Sequence, residues 1–252
     1  MRIVDDLSEW RRLRTSMTGS IGLVPTMGAL HDGHLSLIER SRGDNDNTVA
    51  TVFVNGPQFN DQGDLEAYPR DLAADAAAAD QAGADVVLAP SHEAMYPDGY
   101  SFRVTETGLS EPMEGAHRPG HFDGMLTVVL KLVNLVVPDR AYFGEKDFQQ
   151  LELVRGMARA FLLPVEIVAC PTVRASDGLA LSSRNALLGP VDRVKAADFP
   201  ALLASGDDPE TVTRSLEEAG FEVDYVEEHD GRRFGAVHIG GVRLIDNIPL
   251  EG

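Results

Sequence analysis

The chain has 252 residues, 43% of them hydrophobic and 25% charged, an ordinary composition for a globular protein that buries its own core. Its formal net charge of −18 argues against sequence-independent binding to nucleic acid and against docking on anionic lipid, so any phosphate site must be a local positive island. A single cysteine, Cys170, excludes a disulfide framework and a cysteine zinc cluster, and reads as a buried small hydrophobe.

Met1 to Trp10 holds three acids and no apolar stretch, so no leader is expected there. Residues 21–24 read as a strand and 32–40 as a helix. Residues 48–54 form a second strand, followed by an Ala-rich helix over 71–82 and a third strand over 85–89. A mostly buried helix over 124–136 ends at Pro138. The longest apolar run, Met125–Val137, is broken by Lys131 and Asn134 and is too short to span a bilayer. A strand over 140–143, a helix over 147–162 and a strand over 165–169 complete the series. This alternation predicts an α/β fold with a parallel sheet, in a soluble, cytoplasmic protein. Near residue 186 the texture changes. Gly189-Pro190 and Gly206-Asp207-Asp208-Pro209 are breakers, and a helix over 209–219 precedes short strands over 222–226, 234–239 and 242–245. The expected domains are therefore 1–185 and a small α+β domain, 186–252.

The chemically loaded residues follow strands, where open parallel sheets bind ligands. The first strand leads into Pro25–His34, the second into Asn55–Phe59, the fourth into Gly144-Glu145-Lys146-Asp147 and the fifth into Pro171–Arg174. His31 and His34, spaced i, i+3 at a helix start beside Gly28 and Gly33, put two imidazoles on one face near the positive end of the dipole, where they read as a phosphate site, with a pair of capping or surface histidines as the plainer alternative. A zinc reading lacks a third ligand at a defined spacing. Only three of the 22 cationic residues are lysines. Lys146, just past a strand, reads as a phosphate contact. Lys131, inside an apolar helix, reads as a paired or ligand-facing ammonium. Arg118 and His121 add positive charge ahead of that helix. Asp123 and Asp147 are expected helix caps. Ser182-Ser183-Arg184 has the composition of a phosphate clamp. Walker and dinucleotide glycine fingerprints are absent.

Pro25–His34 resembles the ATP signature of the pantothenate synthetase family, within the HxGH (HIGH-type) nucleotidylyltransferases. The likeness continues in order through Phe53-Val54-Asn55, Gln58-Phe59, Tyr68-Pro69-Arg70, Arg118–Gly124, Asn134-Leu135-Val136, Ala141–Leu151, Pro171–Arg174, Asp177–Asn185 and Arg243–Asn247, nearly the whole chain. It implies a Rossmann-like parallel sheet with a small C-terminal lid, and a two-step ligation. Pantoate attacks the α-phosphate of Mg-ATP to give pantoyl adenylate and pyrophosphate. β-Alanine then displaces AMP.

By the same resemblance Met27, Gly28, Ala29, Leu30, His31, Asp32, Gly33 and His34 contact ATP, as do Gly144, Glu145, Lys146, Asp147, Val173, Leu181, Ser182, Ser183 and Arg184. His34, His31, Lys146 and Arg184 carry the catalytic roles. Gln58 and Gln150 hold pantoate, with Gln58 also beside β-alanine. Asp75 is the candidate metal ligand for Mg2+, and a homodimer is implied. The residues alone leave two other readings open, a nucleotide-binding homologue without turnover and an adenylyltransferase with another acceptor. Two features depart from the family pattern. Asn55-Gly56-Pro57-Gln58-Phe59 stands where Asn-Pro-x-Gln-Phe is usual, which changes the residue whose φ is fixed. The stretch between Asn185 and Phe221 is also shorter than usual by about a helix and a loop.

Overall fold

The computed structural model describes residues 1–250, which divide into two compact units. The larger comprises Met1–Gly144 and Gln149–Cys170. It opens with strand β1 (Arg2–Val4) and helix α1 (Leu7–Ser16), capped by Asp6, which accepts from Glu9 N at 2.7 Å. Strand β2 (Ile21–Thr26) is a continuous, almost wholly buried apolar run, as a strand covered on both faces must be. Helix α2 (Asp32–Asp44) and strand β3 (Asn47–Val52) follow, then helices α3 (Gln62–Ala67) and α4 (Leu72–Ala82). Asp71 caps α4 by accepting from Ala74 N, and Gly83 ends it at φ +94.

Strand β4 (Val86–Leu88) precedes the short helices α5 (His92–Met95) and α6 (Glu114–His117). Helix α7 (His121–Val136) is the long apolar one. It starts three residues ahead of the expected position, with Gly120 rather than Asp123 at the N-cap. Asp123 lies inside the first turn, where its carboxylate accepts from Thr105 Oγ1 at 3.1 Å. Strand β5 (Arg140–Gly144), helix α8 (Phe148–Ala160) and strand β6 (Glu166–Cys170) complete the layer. Asp147 falls in the 3₁₀ turn Glu145–Asp147 that precedes α8.

The sheet order is β1-β4-β3-β2-β5-β6, all parallel. The chain moves outward from β2 through β3 to β4, then returns to place β5 on the other side of β2. The order therefore reverses between β2 and β5, the crevice where such sheets bind ligands. One core cluster unites Val24, Ala50, Val87 and Tyr142 with Leu37, Ile38 and Ala79 of α2 and α4. Cys170 is buried in the same cluster. Trp10, fully buried on α1, donates from its indole to Leu135 O at the end of α7.

The second unit comprises Glu145–Phe148 and the chain from Pro171 onward. Helices α9 (Pro190–Ala196), α10 (Asp198–Leu203) and α11 (Pro209–Glu218) precede an antiparallel sheet of β7 (Glu222–His229), β8 (Arg232–Ile239) and β9 (Val242–Pro249). The division falls after Cys170, upstream of the expected change at 185, for two reasons. Leu179 sits in the core with Phe199, Leu203, Leu216 and Val237. Arg174 makes a two-pronged pair with buried Asp246, at 2.6 and 2.9 Å. Buried Arg233 donates to the carbonyls of Leu203, Ser205 and Asp207 and to Glu228, stapling the 203–207 turn to β8.

Candidate active site

The loop between β2 and α2 is held by its own backbone donors. Gly28 N donates to Thr26 Oγ1 at 3.1 Å. Asp75, 5% exposed on α4, accepts from Ala29 N through Oδ2 at 3.1 Å and from Leu30 N through Oδ1 at 2.8 Å. The carboxylate thereby fixes a turn in which both Gly28 (φ +85) and Ala29 (φ +51) take the left-handed conformation. A side chain at Gly28 would meet Asp75 Oδ2 at 2.6 Å, so only glycine lets the loop lie this close to its anchor.

The two histidines close α2 reciprocally. His31 is the N-cap residue, and its Nδ1 accepts from Gly33 N at 3.1 Å. His34 Nδ1 accepts from His31 N at 3.4 Å, and the ring centroids lie 4.2 Å apart. With both Nδ1 atoms accepting, the ring hydrogens sit on Nε2. The first turn of α2 therefore carries two imidazole N–H groups at the positive end of the helix dipole.

Gln58 ends the 3₁₀ turn Gly56–Gln58 and is 7% exposed. The turn is closed by Gln58 N to Asn55 O and Phe59 N to Gly56 O, so Pro57 stands where no N–H is needed. The displaced proline is accommodated with Gln58 firmly held. Asn55 Nδ2 donates to Gln58 Oε1 at 3.0 Å, and His121 Nδ1 lies 2.7 Å from Gln58 O. Arg118 Nη1, which can only donate, meets His121 Nε2 at 3.2 Å, so the His121 hydrogen is on Nδ1 and bonds the Gln58 carbonyl. Helix α7 touches this turn at Gly124, where a Cβ would stand 2.5 Å from Gln58 N and from Pro57 C and O.

The two glutamines on α8 separate in role. Gln149 is buried and fully used: it accepts from Glu114 N and donates to Leu109 O and Pro112 O, pinning the 109–114 segment. Gln150, the next residue, is only half-buried.

The expected site positions fall in both units. The larger carries Met27–His34, Gln58, Asp75, Gly144 and Gln150. The smaller carries Glu145, Lys146, Asp147, Val173 and Leu181–Arg184. Within the smaller unit Asn247 Nδ2 donates to Glu145 O and Lys146 O, both at 2.9 Å. Arg232 donates twice to Asn247 Oδ1 and stacks 4.1 Å from the Phe148 ring centroid, so the terminal strand fixes the Lys146 backbone. Leu181 N donates to Val173 O at 3.0 Å, and Ser182 caps the turn Ser183–Leu187 by accepting from Arg184 N. Asn55 stood in a loaded loop of the sequence, but its part in orienting Gln58 was not visible. The partnerships of Tyr96, His121 and Gly124 are also made across the fold and leave no local pattern.

The sequence profile of the family described as pantoate-beta-alanine ligase matches residues 1–249. A pantothenate synthetase of Coxiella burnetii is 49% identical over 250 residues, covering 99% of this chain and 97% of that protein. One from Legionella pneumophila is 48% identical over 252 residues, covering 99% of this chain and all of that one. The crystal structure of the pantoate-beta-alanine ligase of Francisella tularensis, complexed with beta-gamma ATP and beta-alanine, superposes with a TM-score of 0.95 at 39% identity, covering 99% and 97% of the two chains. The chain belongs to the pantoate-beta-alanine ligase family. Its activity is the ATP-dependent ligation of pantoate with β-alanine.

Two points about this ligase follow. The brevity between Asn185 and Phe221 is not peculiar to it, because the Legionella relative is matched over its full length. ATP-dependent ligases use a divalent metal, and the donor set here fits one borne by phosphates. No cluster of three or more His, Cys, Asp or Glu side chains able to hold a metal exists among the described residues. Each Asp75 oxygen accepts one backbone N–H and keeps a second lone pair. Mg2+ is commonly held in this way, by one or two carboxylates and substrate phosphates rather than by a protein cage.

Proposed function

We propose that the reaction proceeds through pantoyl adenylate. A pantoate carboxylate oxygen bonds to the α-phosphorus of ATP as the bond to the β-phosphate bridging oxygen breaks, releasing pyrophosphate. The β-alanine amine then bonds to the acyl carbon, the acyl–phosphate oxygen bond breaks, and AMP leaves as the nitrogen loses a proton. The acceleration needed in the first step is stabilisation of charge on the phosphates by donors already in place.

The observation that carries this reading is the pair of Nδ1-capped imidazoles at the start of α2. His31 and His34 offer Nε2–H donors to phosphate oxygens, with His34 stabilising charge as pyrophosphate departs. Met27, Gly28, Ala29, Leu30, Asp32 and Gly33 line the same ATP loop, and Gly144 follows β5. Lys146 and Arg184 add positive charge, and Glu145, Asp147, Val173, Leu181, Ser182 and Ser183 contact ATP. Gln58 and Gln150 hold pantoate, and Gln58 also serves β-alanine. Mg2+, held by the phosphates and Asp75, would neutralise charge on the departing pyrophosphate. The resemblance further supports a homodimer in the cytoplasm. No helix among the described residues is long and apolar enough to cross a membrane.

Two variants test these roles. His34→Ala slows single-turnover adenylation by about a hundredfold, the scale of one lost transition-state donor, while ATP affinity changes little. An unchanged single-turnover rate removes His34 from the mechanism. Gln150→Ala raises the pantoate KM and spares ATP. Equal effects on both substrates contradict its assignment.

A further inference from the structure

The carbonyl of Gly124 sets the polarity of a buried chain of side chains that ends at Gln58. A carbonyl only accepts, and it lies 3.0 Å from the Asn55 amide, so the group facing it is Nδ2. Asn55 is fully buried, and its other end, Oδ1, meets the Tyr96 hydroxyl at 2.6 Å. Tyr96 must therefore donate. The same Nδ2 reaches the Gln58 amide at 3.0 Å, so that end of Gln58 must be its oxygen. Gln58 Nε2 has no protein partner among the described residues, and it is the end left for a ligand.

Tyr96 is itself held from the far side. Lys131, the ammonium inside an apolar helix, donates to Met95 O at 2.9 Å and stands 4.7 Å from the centre of the Tyr96 ring. It also faces Asp98 at 3.6 Å, beyond hydrogen-bond length, an ion pair without a hydrogen bond. Burial, then Tyr100 and Asp98, push the Tyr96 hydroxyl well above the usual tyrosine range, so it keeps the proton it donates.

We propose that Tyr96 is a positioning residue for the ligation: through Asn55 it fixes the Gln58 amide with N–H donors, not oxygen, offered to a pantoate carboxylate or hydroxyl. Gln58 so oriented offers its donors to an oxygen-bearing group such as a carboxylate or hydroxyl. The proposal rests on the reading that Gln58 holds pantoate. If Tyr96 no longer donates, the Asn55 amide can turn over, and the donor that pins Gln58 Oε1 is lost.

The test is steady-state kinetics on the full chain for each substrate, with Tyr96→Phe, Gln58→Ala and the double variant. Tyr96→Phe removes one oxygen and keeps the ring beneath Lys131, so folding is retained. It raises the pantoate KM about tenfold, the scale of one net buried hydrogen bond, and leaves the ATP KM within about twofold. In the Gln58→Ala background Tyr96→Phe has no further effect on pantoate, because its influence passes through that amide. A Gln58→Ala enzyme with an unchanged pantoate KM overturns the reading of Gln58 itself. A raised KM in Gln58→Ala with none in Tyr96→Phe, an additive double variant, or equal changes for ATP and pantoate overturns the relay.

Discussion

Asp75→Asn is a near-isosteric change at the residue that anchors the ATP loop. The carboxylate accepts from Ala29 N and Leu30 N at 3.1 and 2.8 Å, and it is 5% exposed. A buried hydrogen bond to a charged group contributes about 1.5–3 kcal/mol. Asparagine keeps one uncharged acceptor and turns an NH2 group toward the other backbone donor. One bond is lost and the second weakened, a loss of about 2–4 kcal/mol. Holding Ala29 at positive φ already costs about 1 kcal/mol or more. Without the carboxylate the loop no longer favours the conformation that presents His31 and His34. At about 1.4 kcal/mol per tenfold, a loss near 2.7 kcal/mol lowers kcat/KM for ATP about a hundredfold. Steady-state kinetics at saturating pantoate, repeated across a Mg2+ titration, give the measurement. A kcat/KM within about threefold of the parent refutes the anchoring role. Full rescue by excess Mg2+ also refutes it, because the carboxylate would then act chiefly on the metal.

Gly124→Ala places a methyl 2.5 Å from the Pro57–Gln58 backbone. It should lower stability by about 1–3 kcal/mol in urea unfolding and raise the pantoate KM, and no change in either measure contradicts the packing described. Asp208 caps α11 by accepting from Thr211 N, Thr211 Oγ1 and Glu210 N, and the Thr211 bonds hold its carboxyl below the ordinary aspartate range. A depressed carboxyl adds stability above its unfolded pKa, and that stability is lost as pH falls through the lower folded value. Asp208→Ala therefore lowers Tm at neutral pH, and the gap closes in acid as the parent protonates. A gap constant with pH argues against the cap.

The alternation of strands and helices was legible because the central strands are short β-branched or apolar runs set between longer helical stretches. What escaped was short or ambiguous. The strand Arg2–Val4 has three residues and takes its place only by pairing with Val86–Leu88. Pro190 reads as a breaker, yet it occupies the first turn of α9, where its missing N–H costs nothing. The helix before Pro138 ends at Val136 as read, but its start depends on Gly120 rather than on an acidic cap. In the site, the histidine pair, Lys146 and the glutamines were visible as unusual residues after strands. The side chains that hold them in place were not. Asp75 reaches back over 45 residues to Leu30, and Tyr96 meets Asn55 across 41, contacts that exist only once the sheet has formed.

The central claim is that this chain adenylates pantoate before it meets β-alanine. Pyrophosphate release measured with ATP and pantoate, with β-alanine added afterwards, tests it directly. The account predicts pantoate-dependent pyrophosphate at once and AMP only after β-alanine is added. Pyrophosphate that waits for β-alanine, or nucleotide binding with no pantoate-dependent release, would contradict it.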